Sequence, residues 1–238
     1  MERRIKNNHL EKLLSETIRG YDKIAPLYKN DCRGRIDEDQ LYHLQKFVKL
    51  LGPPPKKILD AGCGTGKDIS YFSSLGYEVI GIDLSEGMLK EAKETLKNRP
   101  NVCLIRGDFR TTGFPDNYFD GIWSSASLVH LPQNEKKRAL IEFNRILKED
   151  GILCVGIQNL LNFGRLLRII KSYIATRKIP ILHGIEIGYA YYDERHWFFP
   201  TRYELEKLIN ESGYKVVDIC GNLFSNRLRI YAKKYKSD

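Results

Sequence analysis

Three glycines at alternate positions follow a short apolar run that ends in an acid. In the segment ILDAGCGTGKD the glycines are Gly62, Gly64 and Gly66, and the acid is Asp60. The next apolar run also ends in an acid, Asp83. Glycines let a ligand approach the main chain closely, and an acid at the end of the second strand can accept both hydroxyls of a ribose. The spacing therefore predicts a turn that binds an adenosine-containing ligand.

The residues around this turn discriminate between adenosine ligands. A nicotinamide or flavin fingerprint needs a third glycine at position 67, where the chain has Lys67. A triphosphate loop needs Ser or Thr after that lysine, whereas the chain has Asp68, which would repel phosphates. S-Adenosylmethionine carries a sulfonium, an ammonium group and no phosphate. The acids therefore favour S-adenosylmethionine, and a dinucleotide is the alternative.

Alternating strand and helix patterns predict how the turn is held. Helical patterning precedes the segment GPPPKK, and short apolar runs alternate with helices after it, which is typical of βαβ units with a parallel sheet covered on both faces. Thr201 and Glu204 form a capping box that predicts the start of a late helix. The last two runs, YKVVDIC and LRIYAKK, lie too close together for a crossover helix, so they predict an antiparallel hairpin.

Length and composition bound the class of protein. The 238 residues suffice for one core. We expect a single domain over 1–238, made of an N-terminal helical cover (1–52), a cofactor-binding core (56–157), a lid insertion (158–200) and a C-terminal helix with its hairpin (201–238). No apolar run approaches the ~18 residues of a membrane span and no secretory signal is recognisable, which predicts a cytoplasmic protein. The five cysteines contain no C-x-x-C pair, so we expect neither a disulfide framework nor a metal site.

The predicted lid insertion is longer than a loop of this fold requires. Apolar residues at helical spacing over 163–174 predict an amphipathic helix that covers the core, and a helix on a membrane surface is the alternative. The rest of the lid is rich in aromatic and charged side chains: His183, Glu186, Tyr189, Tyr191, Tyr192, Arg195, His196 and Trp197. Such groups above a cofactor indicate substrate selection, and a dry hydrophobic cover is the alternative.

A set of motifs in a fixed order carries a resemblance to a known family. ILDAGCGTGKDISYFSSLGYEVIGIDLSEGMLKEAK, RGDF, FPDNYFDGIWSSASLVHL and EFNRILKEDGILCVGI resemble the successive motifs of class I S-adenosylmethionine-dependent methyltransferases of the small UbiE-like type. The match covers about residues 20–157 motif by motif. It implies an α/β fold, a Rossmann-like doubly wound sheet of seven strands in the order 3-2-1-4-5-7-6 with the last strand antiparallel, together with N-terminal helices and a helical lid.

The resemblance also implies which residues contact each part of the cofactor. The methionine part would meet the backbone of Gly62, Cys63, Gly64 and Ser125 and the side chain of Asp60. The adenosine part would meet Asp83 at the ribose and Leu84, Met88, Asp108 and Phe109 around the adenine. Tyr21 or Tyr28, in GYDKIAPLY, would close over the cofactor. As alternatives, the strand-end acids could cap the following helices, and the two tyrosines could form one face of a core helix.

The expected chemistry needs alignment and exclusion of water more than a base, because the sulfonium is already activated. His130 is the candidate for proton transfer, and a structural hydrogen bond is the alternative. We expect a methyltransferase that acts on a small molecule and leaves S-adenosyl-L-homocysteine. The net charge of +9 keeps RNA as an alternative acceptor, although the basic residues are dispersed, and a cofactor-binding regulator without turnover is a third hypothesis.

Overall fold

Nine strands and six helices make up most of the chain that the structure describes. The computed structural model describes residues 2–30, 36–158, 189–192, 195–221 and 227–235. The helices are α1 (Glu2–Asn30), α2 (Glu38–Leu51), α3 (Lys67–Ser74), α4 (Glu86–Thr95), α5 (Gln133–Ile146) and α6 (Arg202–Glu211). The strands are β1 (Lys57–Ala61), β2 (Glu78–Asp83), β3 (Val102–Arg106), β4 (Phe119–Ser125), β5 (Leu147–Gln158), β6 (Tyr189–Tyr192), β7 (Arg195–Phe198), β8 (Tyr214–Cys220) and β9 (Arg227–Lys234).

Seven of these strands form one sheet in the order β3-β2-β1-β4-β5-β9-β8. The first five strands are parallel, and β9 runs antiparallel to both β5 and β8. Since β6 and β7 form a separate two-stranded sheet, β8 and β9 are the sixth and seventh strands of the large one. The predicted order 3-2-1-4-5-7-6 and the predicted hairpin at the end of the chain are both confirmed.

Apolar side chains pack on both faces of the large sheet. Ile58 and Leu59 are neighbours on β1, both fully buried, and successive side chains of a strand point to opposite faces. Leu59 packs in a cluster with Phe143 of α5, and Ile58 packs in another with Phe47 of α2 and Phe72 of α3. Burial on both faces explains the continuous apolar runs in the sequence, and it leaves the carboxyl ends of the strands as the place for a ligand.

The lid contains an antiparallel hairpin that the sequence did not predict. β6 and β7 pair from Tyr189 opposite Phe198 to Tyr192 opposite Arg195, and β7 packs against α1. The amphipathic helix expected over 163–174 lies outside the described residues, as do His183 and Glu186. The capping box at Thr201 and Glu204 is present at the start of α6, as predicted. Within the described ranges, no helix has the length and apolar character needed to cross a membrane.

Candidate active site

Two adjoining cavities lie at the carboxyl ends of the central strands, where the strand order reverses and open α/β sheets bind ligands. The larger has a volume of about 640 Å³ and the smaller about 270 Å³. Residues of the glycine turn, including Gly62 and Gly64, line both. Every residue that the sequence predicted for cofactor binding or proton transfer lines one cavity or the other: Tyr21, Tyr28, Asp60, Gly62, Cys63, Gly64, Asp83, Leu84, Met88, Asp108, Phe109, Ser125 and His130.

The glycine turn is held against the second strand by its main chain. The Gly62 N–H donates to the Ile82 carbonyl at 2.8 Å, and Gly62 has a φ of +82°. A Cβ atom at this position would lie 2.3 Å from Cβ of Ser127, so only glycine fits. The Gly64 N–H donates to Oδ2 of Asp83 at 2.9 Å. The turn and the strand-end acid are thus joined directly.

Asp83 is placed to accept hydrogen bonds from a ligand. Its Oδ1 accepts the Ser85 N–H at 2.9 Å, and its Oδ2 accepts that of Gly64. Burial raises the pKa of Asp83, and these N–H donors oppose the rise. Each carboxylate oxygen has two acceptor sites, so one on each remains for a hydroxyl group. The bond to Ser85 means that Asp83 also fixes the residue that caps α4, so capping and ribose binding are compatible here.

The smaller cavity is lined by two buried carboxylates, Asp60 and Asp68. Burial and the charges of Asp68 and Asp83 raise the pKa of Asp60 well above its usual range. Oδ2 of Asp68 accepts from Nε2 of Gln40 at 2.7 Å and from Nε1 of Trp123 at 2.8 Å. Its Oδ1 is buried, and no described residue gives it a hydrogen bond. A buried acidic pair with an unused acceptor fits a cation such as the ammonium group of S-adenosylmethionine.

The lining of the larger cavity also combines apolar and charged groups. Met88 and Phe109 line it and are buried, and Leu84 lines it as well. Nε of Arg110 lies 3.0 Å from each oxygen of Asp108, and Arg110 also forms an ion pair with Glu135. The sequence did not predict this pair of ionic contacts, which fixes the orientation of the Asp108 carboxylate.

Helix α1 forms a roof over the cavities. Asp22 attaches it to the start of α4, because its Oδ1 accepts from Oγ of Ser85 at 2.6 Å and from the Gly87 N–H at 2.9 Å. Tyr21 and Tyr28 are about two helical turns apart, so they lie on the same face of α1. Both line the larger cavity, and their ring centroids are 6.4 Å apart. Both tyrosines therefore lie on the side of α1 that faces the larger cavity.

His130 lies in a short 3₁₀ helix, Leu128–His130, beneath this roof. Its Nε2 is 2.7 Å from the Tyr21 hydroxyl, and its Nδ1 is 2.7 Å from the carbonyl oxygen of His196. A carbonyl can only accept, so Nδ1–H donates to it and Nε2 accepts from Tyr21. Burial lowers the pKa of His130 to about 3. A neutral imidazole with both nitrogens occupied favours the structural hydrogen bond over proton transfer.

The strand β7 supplies the wall next to His130. Arg195 and Trp197 are 4% exposed and line the larger cavity. The rings of His130 and Trp197 have centroids 4.4 Å apart. His196 attaches β7 to α1, since its N–H donates to Oγ1 of Thr17 at 3.2 Å. In the described part of the chain, no group of three or more metal-ligating side chains is found.

Comparison with known proteins assigns the family. The family model described as "Methyltransferase domain" matches residues 59–155. A demethylmenaquinone methyltransferase of Staphylococcus carnosus is 31% identical over 88% of this chain and 86% of its own length, and one of Renibacterium salmoninarum is 29% identical over 87% of each. The CcbJ methyltransferase of Streptomyces caelestis has a TM-score of 0.70 at 17% identity, covers 93% of this chain and 99% of its own, and shows the fold alone. The chain belongs to the class I S-adenosylmethionine-dependent methyltransferases.

Proposed function

We propose that this methyltransferase acts on a small aromatic acceptor of the quinol type. The larger cavity carries the proposal, because it extends from the cofactor turn to a wall of aromatic side chains under the roof. Its volume of about 640 Å³ is in the range of pockets that hold small ligands. The relatives in Staphylococcus carnosus and Renibacterium salmoninarum are named demethylmenaquinone methyltransferases.

We assign the cofactor contacts from the arrangement of the two cavities. The backbone of Gly62, Cys63, Gly64 and Ser125 and the acids Asp60 and Asp68 would hold the amino-acid end. Asp83 would hold the ribose, Leu84, Met88, Asp108 and Phe109 would surround the adenine, and Tyr21 and Tyr28 would cover it. When bound, S-adenosylmethionine supplies a methyl group on a positively charged sulfur atom.

The protein contributes orientation and exclusion of water. α1 and β7 close over the cavity through Asp22 and His196, so the acceptor is held in a fixed position beside the cofactor. Alignment of this kind can account for up to ~7–11 kcal/mol of a barrier. His130 maintains the roof by bonding Tyr21 and β7, and it removes no proton from the acceptor.

Labelled S-adenosylmethionine tests this function with two acceptors in parallel: chemically reduced naphthoquinone and bulk tRNA. We expect one methyl group to be added to the naphthoquinol, as measured by mass spectrometry, and no label in the tRNA. Label that enters only the tRNA would overturn the proposal in favour of an RNA acceptor, and that transfer should weaken steeply with salt. Tight binding of S-adenosylhomocysteine without transfer to either acceptor would support a regulator instead.

A further inference from the structure

A buried arginine, Arg229 of β9, reaches across the sheet to the cavities. It is 1% exposed. Arg229 is opposite Gly156 of β5, which is opposite Ser125 of β4, so the three residues form one row across the sheet. A Cβ atom at Gly156 would lie 3.0 Å from Nη1 of Arg229, so the glycine makes room for the guanidinium group. Nη1 donates to Oγ of Ser125 at 3.3 Å, and Ser125 lines both cavities.

Gln40 of α2 connects Arg229 to the acid Asp68. Oε1 of Gln40 accepts from Nη2 of Arg229, and Nε2 of Gln40 donates to Oδ2 of Asp68 at 2.7 Å. Arginine has no acceptor and an ionised carboxylate has no donor, so the two neighbours permit a single orientation of the Gln40 amide. A buried amide between a cation and a carboxylate is polarised by both, which strengthens its two hydrogen bonds.

Trp123 makes a second connection between the same two groups. Its Nε1 donates to Oδ2 of Asp68 at 2.8 Å, and Cζ of Arg229 lies 5.0 Å from the centroid of its ring. A guanidinium group at this distance is attracted to the ring face. Oδ2 of Asp68 is therefore held by two donors, both of which contact Arg229. The other oxygen, Oδ1, is the one that accepts from no described residue.

The charges of the smaller cavity explain why a cation behind its wall matters. The amino-acid end of S-adenosylmethionine carries an ammonium and a carboxylate, so it brings no net charge to Asp60 and Asp68. Buried carboxylates are costly unless positive charge or donors compensate them. Lys67 and Arg227 line the cavity itself, whereas Arg229 lies behind the wall, on the far side of Gln40 from Asp68.

From this geometry we infer that Arg229 is a positioning residue for the cofactor: through Gln40 and Trp123 it holds Asp68 so that Oδ1 binds the ammonium group of S-adenosylmethionine. The inference rests on the cofactor contacts of the proposed function and deepens them, because it adds a residue of β9 that acts from behind the cavity wall. Loss of the guanidinium group should weaken binding of the amino-acid end and leave binding of the adenosine end unchanged.

Two ligands test this role: S-adenosylhomocysteine, which has the amino-acid end, and methylthioadenosine, which lacks it. Their affinities are measured by calorimetry. We expect Arg229→Met to bind S-adenosylhomocysteine about tenfold or more weakly than the unmodified protein does, and methylthioadenosine with unchanged affinity. Arg229→Lys should recover part of the loss, because it restores the charge without the planar group. A general structural defect would weaken both ligands equally.

Gln40→Met tests the connection while the guanidinium group stays in place. It should show the same selective loss for S-adenosylhomocysteine. The double variant with Arg229→Met should lose less affinity than the product of the two single losses, because both residues act through one network. The matched control is Tyr231→Phe, which removes a buried hydrogen bond to His43 from the same strand and should leave the ratio of the two affinities unchanged.

Equal losses for the two ligands in Arg229→Met and Gln40→Met, or no loss for either ligand, would overturn the inference, as would additive losses in the double variant. Where Arg229→Met does not fold, Arg229→Lys and Gln40→Met still decide. A selective loss in Asp68→Asn without one in Arg229→Met would overturn the inference alone, whereas no selective loss in Asp68→Asn would overturn the cofactor contacts with it. These measurements use no acceptor, so a failure of the proposed aromatic acceptor is detected separately by the transfer assay.

Discussion

Replacing Gly62 by alanine tests whether the close approach of the glycine turn to the strand ends is needed for cofactor binding. The change forces an L-residue to adopt a φ of +82°, which costs about 1–2 kcal/mol. The new Cβ would also lie 2.3 Å from Cβ of Ser127, an atom that cannot rotate away, and crowding of this kind adds about 1–3 kcal/mol. We therefore expect Gly62→Ala to lower the free energy of unfolding by about 2–5 kcal/mol.

Gly113 provides a control that separates the two causes. Its φ is +74°, but nothing lies within 4 Å of its added Cβ, so Gly113→Ala introduces backbone strain without crowding. Urea unfolding should show a loss of only about 1–2 kcal/mol for this variant. Calorimetry should show normal affinity for S-adenosylhomocysteine in Gly113→Ala and a loss of at least about tenfold in Gly62→Ala, since a shifted turn moves the Gly64 N–H away from Asp83. Equal losses of stability and equal affinities in the two variants would refute the reasoning.

Three further outcomes follow from the roof and the acidic cavity. Tyr21→Phe leaves Nε2 of His130 without its donor, so thermal unfolding should show a loss of about 1–3 kcal/mol, whereas Tyr203→Phe, at a site 74% exposed, should change stability by less than about 0.5 kcal/mol. The pKa of His130 falls from 6.5 to about 3 on folding, so the unfolded chain binds the additional proton and stability should decrease as pH falls from 6.5 towards 3. His130→Gln should lose less stability on acidification than the unmodified protein in urea titrations, and an identical slope would contradict the assignment. Asp68→Asn should weaken the binding of S-adenosylhomocysteine but not that of methylthioadenosine, which lacks the amino-acid end. The control Asp116→Asn should change the affinity for neither ligand. An equal loss of affinity for both ligands in Asp68→Asn would indicate a structural role.

The sequence predicted the features that depend on local pattern and on the rules of parallel sheets. The turn at Gly62 and the acid Asp83 were found because both follow apolar runs, and parallel strands bring such ends to one edge. The C-terminal hairpin was found because its connection is too short for a helix. These inferences needed only the spacing of residues along the chain.

The sequence could not predict contacts between residues that are distant along the chain and have no periodic pattern. Asp68 was recognised only as an acid that would repel phosphates, because the groups that hold it, Gln40 and Trp123, lie 28 and 55 positions away. The contact of Asp22 with α4 spans 65 positions. His130 was correctly placed at the cavity, but its hydrogen bonds to Tyr21 and to β7 depend on how α1 and the lid hairpin pack, which residue types alone do not indicate.

A crystal structure of the protein with S-adenosylhomocysteine is the most direct test of the central claim, that an adenosyl ligand is held by bare main chain and buried acids at the carboxyl edge of the sheet. We predict that both ribose hydroxyls will lie within hydrogen-bond distance of Asp83. The amino group should lie beside Asp60 and Asp68, beneath the turn at Gly62. A ligand whose ribose lies away from Asp83, or whose amino group lies outside the acidic cavity, would contradict the account.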